Sequence, residues 1–373
     1  MAHSSPEKKK ISHVGRIART ALGLAAGAGG GYAFQVMDLP LAWMLGAMCA
    51  SMALSLPGMK VTIPRRLNNF MLAVIGVLLG STFTPELFGD ALRWLPSIGI
   101  MISSQIVMGA ILVFICYKLF RYDPPTAYFA PCPGALSQVA VLAPEYGADV
   151  RKVALCHGTR VFAIALVIPL LVSWLILKPE GAAAPIATGI AQHLSVNDIV
   201  LLTACALVGP SFAIGWKLPN PSLFGPIILS ALLHMTESTR AMPPMELVNA
   251  AQVVIGVGIG GKFAGTTRTE LRKIMGVAIF ISAFMLAWAF GMAFVMAKAT
   301  GLSVAASLLI MAPGGLAEMS VVALTMSVEP AVVGIHHVIR ICIYLGLVPS
   351  LFFFWRWILM GKKELSAKLR LAN

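Results

Sequence analysis

Pro133–Arg160 reads PGALSQVAVLAPEYGADVRKVALCHGTR, and 180 residues on, Pro313–Arg340 reads PGGLAEMSVVALTMSVEPAVVGIHHVIR. Laid over each other without a gap, they agree at eight of 28 positions: Pro133/Pro313, Gly134/Gly314, Leu136/Leu316, Val141/Val321, Ala143/Ala323, Val153/Val333, His157/His337 and Arg160/Arg340. An apolar composition raises chance identity, but a polar His and Arg recurring in register do not follow from it. Upstream, VIGVLLGSTF (Val74–Phe83) meets VIGVGIGGKF (Val254–Phe263) with six of ten positions identical. At an offset of 179, Leu39-Pro40 meets Leu218-Pro219 and Gly46 meets Gly225. The chain is a duplication: a basic tail over 1–19, a first repeat over 20–180, a second over 196–360 and a basic tail over 361–373.

Composition sets the medium in which the repeats fold. Of 373 residues, 58% are hydrophobic and 12% charged, about half the roughly 25% charge of a soluble domain. Each repeat reads as six apolar segments, several near the roughly 20 residues that cross a bilayer as a helix. This predicts an all-α polytopic protein whose main partner is the lipid bilayer, and excludes a soluble enzyme or nucleic-acid-binding body. The net charge of +13 reads as topology, because Lys60/Arg65/Arg66, Lys118/Arg121, Arg151/Lys152, Lys217, Arg268/Arg272/Lys273 and Lys362/Lys363 fall between apolar runs. Basic loops stay cytoplasmic. All of these lie on one side if the fifth segment of each repeat is broken or re-entrant. That gives about ten crossings, two broken segments, inverted repeats and both termini cytoplasmic, in a bacterial inner membrane. The first apolar segment belongs to the repeat, so a cleaved signal peptide is not expected.

The fifth segments carry the helix breakers: Pro133 and Gly134 in the first, Pro313, Gly314 and Gly315 in the second. Breakers at matching points of two halves mark discontinuous helices around a transport site, although Pro and Gly also simply kink membrane helices. A helix restarting after such a turn aims its positive end into the membrane. Arg160 and Arg340 stand about nine residues into the last segments, roughly 13 Å deep at 1.5 Å per residue. A charge there costs at least about 2.5–3.5 kcal/mol, so each arginine faces a ligand, pairs with an acid or caps carbonyls of the broken helix. His157 and His337, three residues earlier, share the arginine face and either line a site or are hydrogen-bonded within the bundle. Glu318, opposite Gln138 in the first repeat, is either a proton-accepting carboxyl or half of an ion pair. Six cysteines without a CxxC, and no spaced His/Cys cluster, predict neither a disulfide framework nor a metal or other cofactor.

Two apolar repeats with PGALSQ (Pro133–Gln138) and APGGLAEM (Ala312–Met319), each followed by H-x-x-R, resemble the AbrB-duplication family of bacterial membrane proteins over essentially the whole chain. Labels attached to that family, ammonia monooxygenase and AbrB-type regulator, imply a copper enzyme or an effect on gene expression. The residues give no convergent His cluster for the first and no DNA-binding module for the second. The resemblance brings no catalytic residues with it. The expectation is a non-enzymatic secondary transporter of a small carboxylate-type anion, driven by a proton or cation gradient. Pro133, Gly134, Gln138, Arg160, Pro313, Gly314, Gly315 and Arg340 would form the binding site, and Glu318, His157 and His337 would couple protons. A membrane-embedded regulator acting indirectly is the alternative, and a monooxygenase is third. Self-association is left open.

Overall fold

The computed structural model describes residues 13–39, 41–83, 85, 91–132, 143–176, 195–218, 220–263 and 268–371. Pro133, Gly134 and Gln138 lie outside them. Among the described residues the regular structure is entirely helical. The first repeat supplies α1 (His13–Val36), α2 (Ala42–Ser55), α3 (Arg65–Gly80), a 3-10 turn at Ala91–Trp94, α4 (Leu95–Lys118), α5 (Pro124–Phe129) and α6 (Val150–Ile176). The second supplies α7 (Val196–Gly215), α8 (Pro221–Met235), α9 (Met245–Gly260), α10 (Arg268–Thr300), α11 (Val304–Met311), α12 (Leu316–Thr325) and α13 (Pro330–Leu371). Four helices are long and apolar enough to cross a membrane, over 95–118, 150–175, 196–215 and 274–300. Shorter apolar helices of 14–16 residues (α2, α8 and α9) accompany them. Helices satisfy their own backbone groups, which an apolar solvent requires of any spanning segment. The protein is a polytopic membrane protein.

Local chemistry repeats with the sequence. Asp123 caps α5 by accepting from the Thr126 N–H, and 180 residues later Ser303 caps α11 by accepting from the Ala306 N–H. The turn before α2 holds Asp38 and Leu41 at φ 52° and 50°, and the turn before α8 holds Lys217 and Asn220 at 53° and 44°. The fifth segment of the second repeat is broken as its residues predict. α11 ends at Met311, and Ala312 turns to ψ 126°, because the ring of Pro313 excludes the helical region for the residue before it. The chain resumes as α12 only after Gly315.

The described chain divides into two compact units that do not coincide with the repeats: 1–72 with 244–266, and 73–243 with 267–373. In the first unit, α1 and α2 cross where a Cβ on Gly30 would lie 2.9 Å from the Gly46 carbonyl carbon. Packed on α2 is α9, from the second repeat, whose Gly256 lies against Met44 O and would bring a Cβ to 3.2 Å from Met48 N. Ala47, Val61, Val253 and Val257 form the core between them.

The second unit contains the mirror arrangement. α7 and α8 cross where a Cβ on Gly209 would lie 2.8 Å from the Gly225 carbonyl carbon. The helix packed on α8 is the end of α3, from the first repeat, where a Cβ on Gly76 would lie 2.6 Å from Leu223 O and 3.4 Å from Ile227 N. Ser230 Oγ donates to Val77 O at 2.8 Å across this contact. The third helix of each repeat therefore packs on the first two of the other. In the same unit α4 and α10 hold equivalent places in their repeats. Trp288 Nε1 donates to Ser104 Oγ (2.8 Å), while Phe120 meets Phe280 edge-on with centroids 5.4 Å apart. Moving up α4 from 104 to 120 moves down α10 from 288 to 280, so the two helices run antiparallel, as inverted repeats require.

Candidate functional site at the broken helix

Ending α11 at Ala312 strips hydrogen bonds from carbonyls that a continuous helix would satisfy, and Pro313 has no N–H to offer. Arg340, one face of α13, restores them. Its Nη1 donates to Ala312 O at 2.7 Å, and its Nη2 donates to Gly314 O at 2.7 Å and to His337 Nδ1 at 2.6 Å. His337 in turn donates from Nε2 to Leu309 O at 2.9 Å. The first repeat carries the same construction: His157 Nε2 donates to Phe129 O at 2.9 Å and Arg160 Nη1 to Cys132 O at 2.7 Å. Every one of these residues lies 180 positions from its counterpart. All four side chains are buried.

Carbonyl capping, one of the alternatives open in the sequence, is therefore made by both arginines. It does not use up Arg340. A guanidinium has five N–H groups; three are engaged, and among the described residues the acceptors are two carbonyls and an imidazole, with no carboxylate. Arg160 and Arg340 are both buried and hold equivalent places in the two repeats.

Glu318 occupies the third residue of α12 and is half-buried. Its carboxylate folds back onto Gly315, the residue that caps α12, so closely that a Cβ there would collide with it. The glycine is needed for that approach. The protein's own acid thus sits at the positive end of α12, where a bound carboxylate would also be drawn. His337 has both ring nitrogens engaged, as donor from Nε2 and acceptor at Nδ1, which leaves no lone pair for a moving proton in this arrangement. Pro313 and Gly315 shape the break itself.

Three further residues belong to this region: His336, which the sequence sets beside His337 where the first repeat has Cys156, and Ser97 and Tyr344, which sequence reasoning passed over. His336 is buried, donates from Nδ1 to Val332 O at 2.8 Å and meets Ser97 Oγ through Nε2 at 2.7 Å. Ser97 Oγ also lies 2.8 Å from Trp94 O. Tyr344 is one turn beyond Arg340, and its hydroxyl is buried with no hydrogen-bond partner among the described residues. Ser97 and Tyr344 oppose Val277 and Ile164 in the other repeat. The signal that finds them is a polar residue standing where its duplicate is aliphatic, the reverse of the identity search that found the arginines. Among the described residues no group of three or more His, Cys, Asp or Glu is placed to hold a metal ion.

A family model described as "Transition state regulatory protein AbrB" matches residues 3–356. The chain is 27% identical over 349 residues to "Uncharacterized protein YhjN" of Bacillus subtilis (strain 168), covering 88% of this chain and 91% of that one. It is 24% identical over 326 residues to "Putative regulator AbrB" of Escherichia coli (strain K12), covering 85% of this chain and 91% of that one.

Proposed function

The chain belongs to the AbrB family, and we propose that it is a secondary transporter of a small carboxylate-type anion, driven by a proton or cation gradient across a bacterial inner membrane. The observation that carries this reading is Arg340. Its charge is buried and its described acceptors are neutral. Carbonyl dipoles lower the cost of a charge in an apolar medium but leave its sign uncompensated. A bound carboxylate would compensate it. No catalytic reaction is part of this reading, and the basic loops support cytoplasmic termini.

Glu318 supplies the coupling. Its carboxylate and a substrate carboxylate compete for the same helix end, and two anions held side by side repel. Protonating Glu318 as the substrate binds removes the competitor and conserves charge, so each anion would bring a proton with it.

The test is uptake of radiolabelled two- to six-carbon carboxylates into proteoliposomes under an imposed proton gradient. Arg340→Met is expected to abolish uptake, and Glu318→Gln to leave exchange that no longer responds to the gradient. Unchanged uptake in correctly folded Arg340→Met protein would overturn the assignment. The printed name of the Escherichia coli relative favours a second reading, a membrane protein that affects gene expression indirectly. A soluble partner co-purifying with the chain, together with no carboxylate flux, would select it.

A further inference from the structure

A buried hydroxyl without a partner forfeits its hydrogen bonds to water and costs about 1–3 kcal/mol, so folded proteins rarely keep one for packing alone. Tyr344 is such a group: the residue is 7% exposed, and its hydroxyl has no partner among the described residues. The contrast with Tyr128 is direct, since that hydroxyl, in the same apolar cluster, donates to Val348 O at 2.7 Å.

Three observations say where the Tyr344 hydroxyl is directed and why it is kept. His337, Arg340 and Tyr344 stand at i, i+3 and i+7 on α13, a single helical face, which places the ring on the side that carries the capping guanidinium. The ring is fixed in a cluster with Phe129, Cys132, Val348 and Phe352, so the hydroxyl is held rather than free to swing to the headgroups. The duplicate of Tyr344 is Ile164, itself completely buried, so an aliphatic side chain satisfies the fold at the equivalent place. The hydroxyl is an addition made in one repeat only.

We infer that Tyr344 is a substrate-binding residue, its phenol O–H donating to one oxygen of a carboxylate whose charge is held by Arg340. The inference rests on the transport reading above and deepens it. A carboxylate has two oxygens and about four lone-pair sites; the two unengaged Arg340 N–H groups and the phenol offer three donors. A halide would gain little from the third donor, because its charge has no second oxygen to orient. The site is therefore selective for carboxylates over spherical anions, and the selectivity resides in one hydroxyl.

The experiment is thermal stabilisation of the purified full chain by a panel of two- to six-carbon mono- and dicarboxylates, with chloride as the spherical control. The best carboxylate is then titrated against wild type and Tyr344→Phe. Loss of a hydrogen bond to a charged group is worth about a tenfold rise in Kd. The expected result is that weakening, an unchanged or raised melting temperature without ligand, and an unaltered response to chloride. Equal affinity in Tyr344→Phe overturns the role of Tyr344 while leaving the transport reading intact. A lower melting temperature in the ligand-free variant also overturns it, because the hydroxyl would then be structural. If no carboxylate stabilises the wild type, the transport reading itself fails and this inference with it.

Discussion

Replacing Arg340 with Met keeps a long, unbranched side chain on α13 but removes the guanidinium donors to the broken helix, leaving His337 Nε2 on Leu309 O. Three buried acceptors lose their partner: Ala312 O, Gly314 O and His337 Nδ1. At about 1–3 kcal/mol for each unsatisfied buried group, the gross loss is about 3–9 kcal/mol. Against that stands the relief of no longer burying a guanidinium, several kcal/mol. The net expectation is a destabilisation of about 3 kcal/mol, near what removing one partner of a buried charged network costs elsewhere. Unfolding in mixed micelles, followed by tryptophan fluorescence and by elution as a monodisperse species, measures it. Arg340→Lys separates geometry from charge, because an ammonium is a compact point donor and does not span two carbonyls with a planar fork. It should be nearly as destabilised as the Met variant. A Met variant as stable as wild type would refute the capping argument, and full rescue by Lys would refute the importance of the fork.

Three other outcomes are expected. Gly225→Val, which drives a side chain into the backbone around Gly209, should fail to accumulate as folded protein, whereas Gly99→Ala, where a Cβ meets nothing within 4 Å, should be neutral or slightly stabilising; expression and gel filtration distinguish them. Asp149 accepts from the Arg151 and Lys152 N–H groups and lies 3.2 Å from Lys152 Nζ; burial pushes its carboxyl up, but these bonds outweigh it and hold it below the ordinary 3.8. Its contribution is thus present above about pH 4 and lost as pH falls through its lower folded value, so Asp149→Ala, which removes both the cap and the charge, should cost about 1 kcal/mol at neutral pH and flatten the acid limb of the stability profile. Ser97→Ala, which deprives buried His336 of its Nε2 partner, should lower stability by about 1–3 kcal/mol in the same unfolding assay.

What was legible in the sequence was the set of features governed by local chemistry. Pro313 forces Ala312 out of the helix whatever surrounds it. Arg160 and Arg340 were legible as buried charges with a task, but not which task. A cap, an ion pair and a ligand site all demand the same residue at the same depth, and only the positions of Ala312 O and Gly314 O separate them. Tyr344 and Ser97 were invisible because a search for identity discards positions where the repeats differ. The Gly76/Gly80 and Gly256/Gly260 patterns announced close packing, yet nothing in a glycine spacing names the partner helix.

That last omission concerns the organisation of the whole bundle. The glycine faces of α3 and α9 do not meet the α1–α2 and α7–α8 pairs of their own repeats: Gly256 meets Met44 and Met48, and Gly76 meets Leu223 and Ile227. These contact pairs are themselves related by the duplication, since Met44 and Met48 lie 179 residues before Leu223 and Ile227. The two exchanges are thus one interaction made twice. Each helix pair crosses at a glycine contact and presents a surface on which the third helix of the other repeat packs, so each repeat completes a core of the other. Exchange of this kind is the helical counterpart of domain swapping within one chain. It ties the formation of each compact unit to both halves of the sequence. The capped break at Ala312–Gly315 therefore lies in a unit that already needs α3 from the first repeat, although every residue of the break is supplied by the second.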